Sequence, residues 1–263
     1  MKKNMLIKSF VALALVSSTF LSADEPKEVQ DMSDPLAVYT QAGLGYTDRG
    51  FNIKIGKSYD SGKPATMAMN VIEIQGALGE AVGFRDDTTN TIDSFRFRNF
   101  VINTKNGLGS QVDIGYNQNS KTGSASYSLI QALPKISIFQ FYPLAGLGLA
   151  VANNVNENTL WADTDSPSGV SIPGVYGMIG MYSKVTITKE IWFNYNPIWM
   201  SSIAGSKNYT KNTYGLNNSS ALTHEVALSY QISPVFNIRY FGNWSEHVDF
   251  VDGGQRIEFN YQL

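Results

Sequence analysis

Hydrophobic and polar residues alternate along most of this chain. From Gly254 to the end, Ile257, Phe259, Tyr261 and Leu263 occupy one phase while Arg256, Glu258, Asn260 and Gln262 occupy the other. A period of two puts successive side chains on opposite faces of a β-strand. The same pattern starts at Leu36, where Val38, Thr40, Ala42, Leu44 and Tyr46 oppose Tyr39, Gln41, Gly43 and Gly45. It continues with Phe51, Ile53 and Ile55 against Asn52, Lys54 and Gly56, and with Phe95 and Phe97 against Arg96 and Arg98. Further strands are predicted around Ile114, Tyr127, Phe141, Ile179, Phe193, Leu228 and Ile238. Between Thr66 and Gln75 the phase is mixed: Met67, Met69 and Val71 share one face, Ile72 and Ile74 the other. That mixture predicts a β-bulge near Val71.

Turn signals separate these runs. Asp60 to Pro64, Asn106-Gly107, Leu133-Pro134-Lys135 and Pro234 mark short turns. Longer polar stretches follow the third strand (Asp86 to Asn90), the seventh (Asn153 to Gly169, with Trp161) and the ninth (Ser206 to Ser219). About twelve strands result, an even number, with short connections at one end and long ones at the other. This is the pattern of an all-β, transmembrane, antiparallel up-and-down β-barrel, its apolar phase toward lipid and its polar phase toward a lumen. A soluble β-sandwich would instead need the outward aromatics buried between two sheets.

The ending Phe259-Asn-Tyr261-Gln-Leu263 resembles the closing strand of Gram-negative outer-membrane β-barrels. Those proteins end in an apolar residue, usually Phe, with aromatics two and four places earlier; here Leu263 replaces the Phe. The resemblance covers the export signal, the ending and the strand pattern, and identifies an architecture, porin-like, without a specific family. It implies Phe259, Tyr261 and Leu263 as an assembly signal read by the barrel-assembly machinery. It also implies an outer-membrane location in contact with membrane lipids and lipopolysaccharide.

The start of the chain agrees. Lys2 and Lys3, an apolar stretch from Phe10 to Val16 and small residues up to Ala23 describe a signal peptide over 1–23. Residues 24–35 are acidic with two prolines and read as a flexible periplasmic leader, with a small plug as the alternative; residues 36–263 form the barrel. The absence of cysteine excludes a lipid-anchored cysteine, disulfides and thiolate metal sites. A net charge of -2 argues against a nucleic-acid partner. Mean hydropathy of -0.14 is what alternation produces.

Chemistry is expected on the inward phase, which collects Lys54, Arg96, Arg98, Lys184, Arg239 and Arg256 with Glu73, Asp113, Glu190, Glu225 and Glu258. Such charges either line a selective pore or pair across strands and fill it. Arg96 and Arg98, two residues apart, would draw anions through a constriction. Inward Tyr39, Tyr142, Tyr176, Tyr182 and Trp192 either stack a sugar-like solute or fill the lumen, whereas outward Tyr46, Tyr116, Trp199, Tyr230, Trp244 and Tyr261 read as interfacial girdles. His224 and His247 are the two histidines, and no His-x-Ser occurs. No motif calls for a catalytic group, a metal or a cofactor. The function expected is passive diffusion of small hydrophilic solutes, anionic or sugar-like. The alternatives are a closed barrel whose loops bind a partner and a lipid-directed hydrolase using His224.

Overall fold

The computed structural model describes residues 29–85, 88–154 and 169–263. The expected signal segment 1–23, residues 24–28, Asp86, Asp87 and the part of the seventh connection that holds Trp161 lie outside the described residues. Twelve antiparallel strands close into a barrel. They are β1 (Gln41–Thr47), β2 (Gly50–Asp60), β3 (Thr66–Ala77), β4 (Ser94–Asn103), β5 (Leu108–Asn117), β6 (Thr122–Gln131) and β7 (Phe139–Asn153). Then come β8 (Gly174–Thr186, preceded by the short piece Val170–Ser171), β9 (Ile191–Tyr195 and Ile198–Gly205, interrupted at Asn196-Pro197), β10 (Ser220–Ser233), β11 (Phe236–Ser245) and β12 (Gly254–Gln262). Each strand pairs with its neighbours in sequence, and β1 pairs with β12 from Gln41↔Gln262 to Thr47↔Arg256, which leaves no free edge. Among the described residues two short helices, α1 (Gly79–Val82) and α2 (Lys207–Asn212), lie in the third and ninth connections.

The outward phase is apolar around the circumference, with Leu44, Ile55, Ile72, Leu129, Ile179 and Leu228 all exposed. A soluble protein would not leave such a continuous belt in water. In a bilayer the belt faces hydrocarbon, and closure satisfies every ladder hydrogen bond that lipid could not. Exposed Trp199, Tyr230, Tyr240 and Tyr261 lie on the same face. The molecule is therefore a transmembrane β-barrel of the outer-membrane kind. The segment that leads into β1, the C-terminus and the turns after β2, β4, β6, β8 and β10 share one end, the periplasmic one by the architecture's loop asymmetry; the longer connections after β3, β9 and β11 lie at the other.

Two expectations need correction. No bulge occurs at Val71: β3 pairs continuously with β4 from Thr66↔Asn103 to Gln75↔Ser94. The irregularity lies instead where Phe51 and Ile53 of β2 face Ala77 and Ile74 of β3, so the extra residue is on β3 at Gln75-Gly76; the φ of +77° at Gly76 suits glycine, and Asp93 approaches where a Cβ would sit. Met69 and Val71 simply face inward, Val71 at 1% exposure. The second correction concerns residues 36–40, which precede β1 rather than begin it. Val38 does not face lipid; it is buried inside the barrel against Met69, Val71, Phe100 and Ile102. The two errors share one cause: the chain entering β1 fills the periplasmic end of the lumen, so apolar residues on the inward phase have a partner there.

Candidate functional site

The lumen has three levels. Across its middle, cross-strand register brings opposite charges together. Asp113 faces Arg98 in the β4–β5 ladder but is taken by Arg96, whose Nε donates to Oδ1 (2.9 Å) and Oδ2 (3.2 Å) and whose Nη2 donates to Oδ2 (2.5 Å). Arg98 pairs with Glu73 of β3. Lys54 of β2 pairs with Glu258 of β12, reaching over β1, and Arg256 Nε lies 3.2 Å from the second Glu258 oxygen. The reach over β1 depends on Gly43. A Cβ there would stand 3.0 Å from Lys54 Cε and 3.0 Å from Asn260 Oδ1, closer than ordinary contact allows.

Arg239 completes this band without a carboxylate at ion-pair distance among the described residues. It donates to Ser229 Oγ (2.9 Å) and Asn194 Oδ1 (3.0 Å). Its guanidinium and that of Arg256 both pack on the Phe241 ring, 4.7 and 4.2 Å from the centroid. In the band, Lys54, Arg96, Arg98, Arg239 and Arg256 thus stand against Glu73, Asp113 and Glu258, two more cations than acids. Glu225 lies just above, held by Asn196 Nδ2 at 2.8 Å, and counting it leaves one cation in excess.

Above the band opens a cavity of about 580 Å³ lined by Asp48, Arg49, Arg85, Arg96, Tyr182 and Glu225, among others. Its rim is tied together by charged loop residues. Arg85 pairs with Asp48 and donates to the carbonyls of Asp252 (2.7 Å) and Gly253 (2.8 Å), joining three outer connections. Arg49 Nε meets Asp93 Oδ2 at 3.0 Å, and Asn119 holds the other Asp93 oxygen at 2.9 Å.

The periplasmic level is filled by residues 30–38. Leu36 packs with the inward cluster of Ile130, Tyr142 and Leu144, and Val38 with the cluster on β3 and β4. Tyr142 donates to Asp34 Oδ1 (2.9 Å), and Lys184 binds Asp31 Oδ2 (3.2 Å) and Ser33 Oγ.

Closure, lipid-facing belt and polar interior are now together. The fold is that of an outer-membrane β-barrel. No protein-family model matches the sequence, and no curated protein does. Among solved structures the barrel is similar to the COG4313 outer membrane channel from Pseudomonas putida F1, with a TM-score of 0.57 and 7% identity over 91% of this chain and 100% of that one. It is also similar to a NanC porin, with a TM-score of 0.51 and 9% identity over 85% of this chain and 100% of that one. At these identities the likeness concerns the fold alone.

Within the barrel, the expected lumen residues fall into three groups. Lys54, Glu73, Arg96, Arg98, Asp113, Arg239, Arg256 and Glu258 meet in the central band; Glu225 lies at the cavity floor and Lys184 at the periplasmic level. Glu190 is not in the lumen. The β8 ladder stops at Thr186, so Glu190 sits exposed in the turn before β9 and accepts from Thr188 Oγ1 at 3.1 Å. Tyr142 and Trp192 are buried in the wall as filler. His224 faces outward between the rings of Tyr195 and Trp244, with Nδ1 2.9 Å from the Tyr195 hydroxyl, the setting of an interfacial side chain. Sequence reasoning missed the rim charges Asp48, Arg49, Arg85 and Asp93. Their signal in the sequence is opposite charges in connections at the same end of the barrel.

Proposed function

We propose that this protein is a passive outer-membrane channel for small hydrophilic solutes, with a preference for anions. The observation that carries this reading is the surplus of positive charge in the central band, directly beneath a polar cavity of about 580 Å³. Anions entering the cavity meet fixed guanidiniums and lose less solvation free energy than cations do. Arg96 is shared by the cavity lining and the band, which makes it the first of the band's cations that a solute reaches after passing the rim. Outward Phe259, Tyr261 and Leu263 fit the role of assembly signal, and lipid and lipopolysaccharide are the partners of the belt.

The test is single-channel conductance of the refolded protein in a planar bilayer, with reversal potential under a salt gradient. Discrete conductance with anion preference is expected. Arg96→Ala with Arg98→Ala removes the two-charge surplus and should move the reversal potential toward zero. A second reading, a closed barrel, is favoured by the filled periplasmic level; silence from folded protein in every variant would select it.

A further inference from the structure

Residues 30–38 do more than occupy space. The segment touches the wall at widely separated strands. With the side-chain amide of Gln262 on β12 turned so that both its groups find partners, its oxygen accepts from Gln30 N at 3.0 Å and its nitrogen donates to Gln30 O at 3.3 Å. Met32, 5% exposed, receives the side-chain amides of Gln231 on β10 and Asn237 on β11 at its sulfur. Asp31 and Ser33 hold Lys184 on β8, Asp34 holds Tyr142 on β7, and Val38 reaches Met69 and Val71 on β3. Two successive backbone turns, Asp34 N to Asp31 O (3.1 Å) and Ala37 N to Asp34 O (3.0 Å), keep it compact enough to lie across the mouth.

The two halves are fastened differently. Leu36 and Val38 sit in apolar clusters with a residual cavity of about 30 Å³ between them and the β3–β6 wall, so this half is packed nearly to interior density. On the far side of Pro35 these wall contacts are all polar: the Gln30 backbone with Gln262, two amides at the Met32 sulfur, Asp31 and Ser33 with Lys184, and Asp34 with Tyr142. The one ion pair of this half among the described residues joins Lys184, 13% exposed, to Asp31, whose side chain is 65% exposed and open to screening. Exposed pairs contribute little to stability. Strong anchoring beside a proline, followed by weak polar tethering, describes a hinge and a latch.

We propose that residues 30–34 form a latch that closes the periplasmic mouth of the barrel and swings about Pro35 to open it, while Leu36 and Val38 stay anchored. This rests on the channel reading above, since a latch matters only if there is a path to close.

The experiment compares three proteins in planar bilayers: the full mature chain, a variant lacking residues 24–34, and the full-length double variant Tyr142→Phe with Lys184→Met. The double variant cuts the tethers at Asp31, Ser33 and Asp34 while keeping side-chain bulk and the contacts of Gln30 and Met32, so it guards against misfolding of the truncation; heat-modifiable migration confirms folding of each. Conductance is expected to rise at least twofold in the truncation, with longer open times in the double variant and the sign of ion preference unchanged in both. Equal conductance and open times in all three would overturn the latch and leave the channel reading intact. Silence from all three, folded, would overturn both.

Discussion

Glu258→Gln tests the central band most directly. Glu258 is 5% exposed and serves two cations, Lys54 through one oxygen and Arg256 through the other at 3.2 Å. The substitution preserves shape but leaves Lys54 without its carboxylate; the next acid, Glu73, is already engaged by Arg98. Breaking a buried ion pair by removing one partner costs about 3–5 kcal/mol. Water in the lumen and the field of Glu73 place this case at the low end, about 3 kcal/mol. Urea unfolding in lipid vesicles, followed by the fluorescence of the four tryptophans, measures it. Adding Lys54→Met should cost less than the sum of the single variants, with a coupling of about 2 kcal/mol, because the orphaned charge is then gone. In the bilayer, Glu258→Gln should strengthen anion preference. A loss below about 0.5 kcal/mol, within the range of ordinary surface substitutions, together with an unchanged reversal potential, would show that the band is hydrated and its pairs are incidental.

Other expectations concern single features. Gly43→Val should destabilise the barrel by about 1–3 kcal/mol, since a Cβ at 3.0 Å from Lys54 forces the pair over β1 apart; the midpoint of heat-modifiable migration will fall, and an unchanged midpoint would contradict the close-approach argument. Leu44→Arg, at the middle of β1 on the lipid face, should cost about 2–4 kcal/mol in reversible folding into vesicles if that position lies near the bilayer midplane; a cost near zero would move β1 outward toward the interface. The third concerns pH. Burial pushes the Asp31 carboxyl up, but hydrogen bonds from Ser33 and the Lys184 ammonium outweigh this and hold it below its ordinary value of 3.8. The groups facing it are Ser33 on its own segment and Lys184 on β8, with Tyr142 on β7 and Asp34 close by. A depressed carboxylate stabilises the docked state above its free pKa and loses that contribution as pH falls through the docked value. Conductance should therefore rise on acidification below 3.8, and Asp31→Asn should remove that part of the response; a flat profile in both proteins would count against the tether.

The alternation exposed the fold because a barrel in a membrane has one solvent on each face, and every strand repeats the same choice. Ile53, Phe97, Leu129 and Ile179 could be assigned outward one by one, and all are exposed. Where the lumen is filled by its own chain, the choice fails. Met69 and Val71 were indistinguishable from lipid-facing residues until Val38 was seen against them. Inward charges were legible as a set, but their partners were not. Lys54 and Glu258 are joined over an intervening strand, and that connection depends on a missing side chain at Gly43, which no periodicity reports. Glu190 had the right parity and the wrong position, since parity says nothing about where a ladder stops.

The seam between β1 and β12 joins residues from opposite ends of the chain, Gln41 with Gln262 and Leu44 with Phe259. Every other pairing in the barrel joins neighbours in sequence and can form as hairpins. Closing a loop this long carries the largest entropic cost, although that cost grows only logarithmically with length. Non-local pairings of this kind also slow folding. Closure is therefore the natural late step of assembly, and an open sheet with two unsatisfied edges precedes it. The Lys54 and Glu258 side chains flank the seam strand on both sides and can meet only once β1 is seated between them. They form a clasp made by closure itself, absent from every open intermediate. An interaction of that kind leaves the rate of closing nearly unchanged and slows reopening, so its contribution is to the lifetime of the finished barrel.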